Sequence, residues 1–536
     1  MPRRATSGLV ALVLAGLLVA PATAASAAPG AAPATTATPA TAAEPGDPTP
    51  VPLADEAITP EIATEVLEIA VEAVNGEVVN EATGETEAPT MALRDLLRVL
   101  PRLTEPQQEV AGRLLARPTE GFDPELGVGY TTENVKVGCN TAVCVHYVVE
   151  PGNVDRATDA WAYETQKTVT RARSFLLGTQ GYNAPPTDGT RGGNALFDVY
   201  LADLGELGLY GYCAPESEVP GTNPRATSYC VLDNDYVEFG YDDPREPLQV
   251  TAVHEFSHAV QFGYDFTEDL WLYESTATWV EERFAPNVND AWSYLEDSAL
   301  TAPTSPLDRA REDSFSVYGN WIFWEYLAAR FGDNVVRQTW NRASNPWQTH
   351  SLQAVEAALR DFRDGSGRGN LAKELAGFGA ANVYAAAHYR SARALGLSAP
   401  TQRYLRLTNR QTSTSLIRSG VAPMTTNSTT VVPDSTLGPN RLRLRVRFSF
   451  TGTPSGGAFA IVETKDGKIS RVPITLQSPG TTAYLPFSTA TVRRVTITFS
   501  NASTRFDCDR GTDRACAGRP LDAQGIVNYD LRVERY

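Results

Sequence analysis

Residues 441–450 alternate without a break: Leu442, Leu444, Val446, Phe448 and Phe450 fall on one parity, Arg441, Arg443, Arg445, Arg447 and Ser449 on the other. Successive side chains of a strand point to opposite faces, whereas a helix would scatter these residues around its circumference. The segment reads as a strand with one face buried and one in water. Comparable runs at 458–464, 471–476, 483–487, 491–499 and 526–533 predict that residues 425–536 form an all-β sandwich.

The rest of the 536-residue chain has a different character. Arg3 and Arg4 precede an apolar run at 8–20, followed by the small-residue exits Ala22-Thr23-Ala24 and Ala25-Ser26-Ala27. This predicts a signal peptide over 1–27, too short to span a bilayer, and a secreted, extracellular protein. Residues 28–54 are Ala/Pro/Thr-rich and read as a linker. Residues 44–93 carry twelve acidic side chains and no Lys or Arg. Ile58, Ile62, Val66, Leu67, Ile69, Ala70 and Val74 recur there at helical spacing. Further helical pieces at 91–100 and 107–116 end at Pro101 and before Pro118. Residues 55–127 thus form an acidic helical segment, read either as a pro-region or as an exposed extension. The net charge of −17 excludes a backbone-driven nucleic-acid binder, and no later stretch is long and apolar enough for a membrane helix.

Residues 128–412 mix both periodicities, with strands at 143–149 and 197–201 around a helix at 157–177, then a mainly helical stretch from 246 to 395. The six cysteines fall in three close pairs, Cys139/Cys144, Cys213/Cys230 and Cys508/Cys516. Sequential pairing into structural disulfides suits an exported protein, and no Cys-x-x-Cys spacing supports a zinc ribbon.

Chemistry concentrates at His254-Glu255-Phe256-Ser257-His258. Four residues are about 400° of helix, so both imidazoles share a face and can reach one tetrahedral ion. Glu255 stands beside that ion, where it can take a proton from a water. Asp243-Pro244 predicts the start of this helix and Gly263 its end. Zinc needs a third protein donor, and the next helix offers carboxylates at Glu274, Glu281 and Glu282. Thr267 is placed to cap that helix, with Glu268 and Asp269 in its first turn. The extended metzincin pattern is excluded, because Gln261 and Tyr264 stand where it requires Gly and His.

His-Glu-x-x-His followed by a glutamate on the next helix resembles the gluzincin zinc peptidases, the group of thermolysin and the zinc aminopeptidases. Trp271-Leu272-Tyr273-Glu274 is similar to the aminopeptidase Trp-Leu-Asn-Glu segment. Fifteen residues separate His258 from Glu274, a few fewer than in thermolysin, and Tyr273 and Thr278 replace its Asn and Asp. Over about 128–410 the chain also resembles a group of uncharacterised secreted bacterial metalloproteases. The resemblance implies an α+β zincin-like catalytic domain, with a mixed sheet plus active-site helices, followed by the β-sandwich. It further implies one catalytic Zn2+ on His254, His258 and Glu274, with Glu281 on nearly the same helix face as the fallback donor, Glu255 as base and acid, and a protein or peptide substrate. In those families a tyrosine or histidine donates to the oxyanion. Tyr318 is the candidate here; the alternative is an aromatic packing residue beside Trp321, Phe323, Trp324 and Tyr326. His350 and His388 are weaker candidates, and His146 reads as structural.

Substrates of such enzymes add a strand to a sheet edge, and residues 228–232, pinned by Cys230, are a candidate for that edge, with a core strand as the alternative reading. Asp507, Asp509 and Asp513 around Gly511 hint at Ca2+, with a solvated disulfide loop as the plainer reading. The sandwich is a candidate contact with a surface or carbohydrate. The competing reading from another class is a non-proteolytic or inactive cell-surface binding protein, which would have no need of Glu255.

Overall fold

Among the described residues three α-helices precede the first strand: α1 (Pro60–Val74), α2 (Thr90–Val99) and α3 (Glu105–Leu114). Pro60 opens α1 behind the Thr59 cap, and a Thr104/Gln107 capping box opens α3. The structure is a computed structural model. It describes residues 58–77, 89–221, 224–310, 314–344, 350–364, 367–439, 441–451, 455–474, 480–522 and 525–535. The expected signal peptide and the 28–54 linker lie outside the described residues.

The next layer is a five-stranded sheet of β1 (Val135–Cys139), β2 (Val143–Val148), β3 (Phe197–Ala202), β4 (Gly211–Val219) and β5 (Arg225–Asp233) in the order β1-β2-β3-β5-β4. Strands β2, β3 and β5 are parallel; β1 and β4 flank them antiparallel. The candidate edge segment lies in β5, an interior strand, and β4 is the edge instead. Alternation could not reveal β4, because Pro215 sits at a bulge between Pro215 and Ser217. Helix α4 (Asp159–Arg173) connects β2 to β3, while α5 (Arg245–Phe262) packs on β4 and β5.

Residues 115–130 pack onto this layer. Tyr229 Oη donates to Ala116 O at 2.6 Å, and Tyr130 Oη donates to Leu201 O at 2.7 Å. Arg117, 1% exposed, reaches Glu216 with Nε at 2.6 Å, Asp198 with Nη1 at 2.7 Å, and Asp188 with Nη2. The expected boundary at 127/128 therefore crosses buried contacts, which no local pattern announces.

Helix α6 (Leu270–Phe284) lies against α5 and is followed by α7 (Ser316–Gly319), α8 (Trp321–Phe331), α9 (Asn334–Ala343) and α10 (Ser351–Asp361). The two-residue strands β6 (Arg363–Asp364) and β7 (Gly367–Arg368) lead to α11 (Leu371–Val383) and α12 (Arg390–Leu395).

The C-terminal strands are β8 (Arg403–Leu407), β9 (Ile417–Val421), β10 (Thr425–Pro433), β11 (Leu442–Thr451), β12 (Gly456–Thr464), β13 (Ile469–Ile474), β14 (Thr481–Pro486) and β15 (Val492–Asn501). The short pair β16 (Phe506–Asp507) and β17 (Arg519–Pro520) precedes β18 (Gly525–Arg535). The two sheets run β13-β12-β15-β10-β8 and β14-β11-β18-β9 around one apolar core. As the alternation predicts, Leu444, Val446 and Phe448 are buried, while Arg443 and Arg445 pair with Glu534 and Asp530 on the outer face. The sandwich begins at Arg403, earlier than the expected 425, because β8 and β9 are short edge strands with little buried surface. Helix α11 lies on β12 so closely that a Cβ on Gly457 would come within 1.9 Å of Ala372 O. All three expected disulfides are present, and no helix among the described residues is long and apolar enough to cross a membrane.

Candidate metal centre

Helix α5 is almost wholly buried, so each of its polar side chains needs a partner. It starts at Arg245, whose N–H donates to Asp243 Oδ1 at 3.0 Å, and ends at the Gly263 cap. His254 and His258, one turn apart, face Glu274 of α6. Their Nε2 atoms lie 3.2 and 3.6 Å from Glu274 Oε2, and the three donor atoms fall within 4.8 Å of one another. Bonds of about 2.1 Å to a tetrahedral ion separate neighbouring donors by about 3.4 Å, so this set fits one small divalent cation.

The opposite ring atoms are held as well. His254 Nδ1 lies 2.6 Å from Glu281 Oε1, and His258 Nδ1 lies 2.7 Å from Gln261 Oε1. Gln261 Nε2 donates to Tyr273 O and Thr276 Oγ1, so its oxygen must face the imidazole. Each Nδ1–H is thus a donor, and each Nε2 faces Glu274, where a bound ion would take its lone pair. Glu281, the fallback donor, sits behind His254 as its orienting carboxylate. Trp324 Nε1 donates to Ser275 Oγ at 2.8 Å and Trp340 Nε1 to Thr276 Oγ1 at 3.1 Å, pinning α6 next to Glu274.

The electrostatics favour a cation here. Burial opposes a charged His254, but its hydrogen bonds to Glu274 and Glu281 outweigh that and raise its pKa well above the ordinary histidine value. Burial pushes Glu274 up, yet His258 and His254 hold it at about 2. Burial lifts Glu281 to about 7 and raises Glu255, against the pull of the histidines in both cases. Three buried carboxylates around two imidazoles make an anionic pocket suited to a divalent ion.

Tyr318 is near: its ring stacks 6.1 Å from that of His254, and Tyr294 and Phe315 pack against it. His350 and His388 lie elsewhere, against Thr504 O and Arg471 respectively. His146 is buried with Nε2 2.8 Å from Asp198 Oδ1. Thr267 does not cap α6. The N-cap is Asp269, and Thr267 Oγ1 donates to Asp265 instead, because the chain turns before the helix begins. Asp507 and Asp513 are taken by Arg510 and Arg309, which leaves no oxygen cradle for calcium among them. Among the described residues one other acidic group converges, Asp233, Asp235 and Glu238, but Asp233 is engaged by four backbone N–H groups, those of Leu204 and Gly205 after β3 and of Asp235 and Tyr236 in its own loop.

Sequence reasoning missed Thr90, whose hydroxyl donates to Glu255 Oε2 at 3.1 Å across 165 positions of chain. It also missed the orienting role of Gln261, three residues after His258 on the same helix face. Comparison with protein-family models finds no match, and no curated protein matches the chain.

Proposed function

We propose that this protein is a secreted zinc-dependent peptidase, and that His254, His258 and Glu274 hold the metal. The observation that carries the reading is the convergence of two oriented imidazoles and a carboxylate one residue from a buried glutamate. Two nitrogens and one oxygen in tetrahedral reach suit zinc, with room for a fourth, exchangeable position. A bound zinc ion would polarise the scissile carbonyl and acidify a water.

The chain's own residues supply the rest. Glu255 accepts the proton lost by the attacking water and returns it to the amine nitrogen as the C–N bond breaks. Its burial raises its pKa, which strengthens it as a base. Glu281 and Gln261 hold the imidazoles in one tautomer. Tyr318, whose ring lies 6.1 Å from that of His254, would donate to the oxyanion. Export is supported by the N-terminal sequence and by three disulfides.

Metal analysis together with casein turnover tests the reading. Stoichiometric zinc and chelator-sensitive cleavage that Glu255→Gln abolishes are expected; a well-folded wild-type protein that takes up no zinc refutes it.

A further inference from the structure

Helix α2 bridges β4, α5 and α6. Its first residue, Thr90, is fully buried; its hydroxyl donates to Glu255 Oε2 at 3.1 Å and accepts from the Cys213 backbone N–H at 3.0 Å. Cys213 belongs to the edge strand β4, and edge N–H groups are what an added strand would bind. One hydroxyl therefore takes both the proposed base and a main-chain donor beside it. One turn on, Arg94 Nη1 donates to Glu268 O at 2.8 Å, and its guanidinium lies 5.2 Å from the ring of Tyr273, the residue before Glu274. Leu93, Leu96 and Val99 are fully buried, so the helix is seated and not merely touching.

A second anchor follows at Arg117, inside its three carboxylates. Withdrawing that guanidinium would leave Asp188, Asp198 and Glu216 buried without their main counter-charge. Between the two anchors the chain surfaces: Pro101, Arg102, Thr104, Glu105 and Pro106 are exposed.

We propose that α1 and α2 are an intramolecular inhibitor of the peptidase site, released by hydrolysis of a peptide bond between α2 and Arg117. The mature enzyme then begins within residues 100–116 and keeps Arg117. This inference rests on the peptidase reading of the metal centre.

The test uses the full secreted chain, zinc-loaded, with a site-specific protease sequence inserted between Thr104 and Glu105. The probe is a mixture of internally quenched peptides. In the Leu96→Asp background, which drives the severed helices off, cutting should raise kcat/KM at least about tenfold with zinc content unchanged. If Leu96→Asp does not fold, Thr90→Val in the uncut chain reads the same contact and should raise activity severalfold. An uncut wild-type chain as active as the cut one overturns the inhibitor and leaves the peptidase reading intact. Zinc-replete protein that cleaves no peptide, cut or uncut, overturns the peptidase reading and the inhibitor with it. N-terminal sequencing of the active species should start within 100–116; a start beyond Arg117, or an unprocessed active chain, overturns the proposed release.

Discussion

Replacing Arg117 by Met isolates what holds residues 115–130 to the five-stranded sheet. The guanidinium is 1% exposed, and the side chains of Asp188, Asp198 and Glu216 are 8%, 1% and 1% exposed. Methionine keeps most of the volume and removes the charge. Breaking a buried ion pair from one side costs about 3–5 kcal/mol, because the orphaned charge stays buried. Arg191, 39% exposed and 3.3 Å from Glu216, compensates in part, which places the expected loss near the lower end. With an unfolding entropy of about 2.1 cal/mol/K per residue, the unit from Asp47 to Tyr536 has about 1 kcal/mol/K, so the melting temperature should fall by about 3 °C.

The pH dependence carries a sign. Burial already raises the Asp188 carboxyl against the pull of Arg117, and removing the guanidinium raises it further. A carboxylate raised in the folded state contributes stability below its unfolded pKa of about 4 and loses it as pH rises through the folded value. The deficit of Arg117→Met should therefore be largest at pH 8 and shrink toward pH 5. Arg191→Met should cost under about 1 kcal/mol, since its charge is solvated. Calorimetric melts at both pH values check this. A variant melting within 1 °C of wild type at pH 8, or one whose deficit grows on acidification, refutes the reasoning.

Glu281→Gln should weaken zinc binding by about 10–100-fold, read by competition with a chromophoric chelator, because Glu281 orients His254; complete loss of stoichiometric zinc would make it a direct donor. Tyr318→Phe should lower kcat of the processed enzyme by about 10²–10³ while leaving KM and zinc content unchanged, and an unchanged kcat reduces Tyr318 to packing. His388 is pushed down to about 4 by burial and by Arg471, so the folded state resists protonation while the unfolded chain accepts it. Stability should accordingly be lost as pH falls from about 6.5 toward 4, and His388→Gln should flatten that slope in melts at pH 7.5 and 5.

What was readable in advance follows from how local each determinant is. Strand β11 was legible because both faces of its pleat obey one chemistry. Strand β10 was not: it is rich in Thr and Ser, whose hydroxyls are satisfied along its own sheet by the β15 partners in Ser428–Thr498 and Thr430–Thr496 and across the sandwich by Thr429–Tyr529. Burial through paired hydroxyls leaves no hydrophobic signature. The two histidines and Glu255 were readable because helical spacing alone places them together. Glu281 was visible as a second acidic side chain near Glu274, but only the tertiary structure puts it on Nδ1 of His254 and not on the donor side. Thr90 and Arg117 had no signal at all, since their partners lie 165 and about 70–100 positions away.

Contacts distant in sequence also join the C-terminal sandwich to α6. The loop between β15 and β18 returns to the start of α6, where Cys516 N–H donates to Asp269 Oδ1 at 2.6 Å. Arg514 Nη2 donates to fully buried Asp308 at 2.7 Å, and Ala515 N–H to the same carboxylate at 3.1 Å. A module serving only as a surface anchor would have no reason to seat its loop under the helix that carries Glu274. Arg514→Met leaves Asp308 without its cation and should cost about 3–5 kcal/mol. If the loop also positions α6, zinc affinity should fall with it. Arg505→Met, which removes a 60% exposed partner of Asp522 on the same loop, should change neither quantity much. A melting loss in Arg514→Met with unaltered zinc affinity would mean that the loop stabilises the fold without acting on the metal centre.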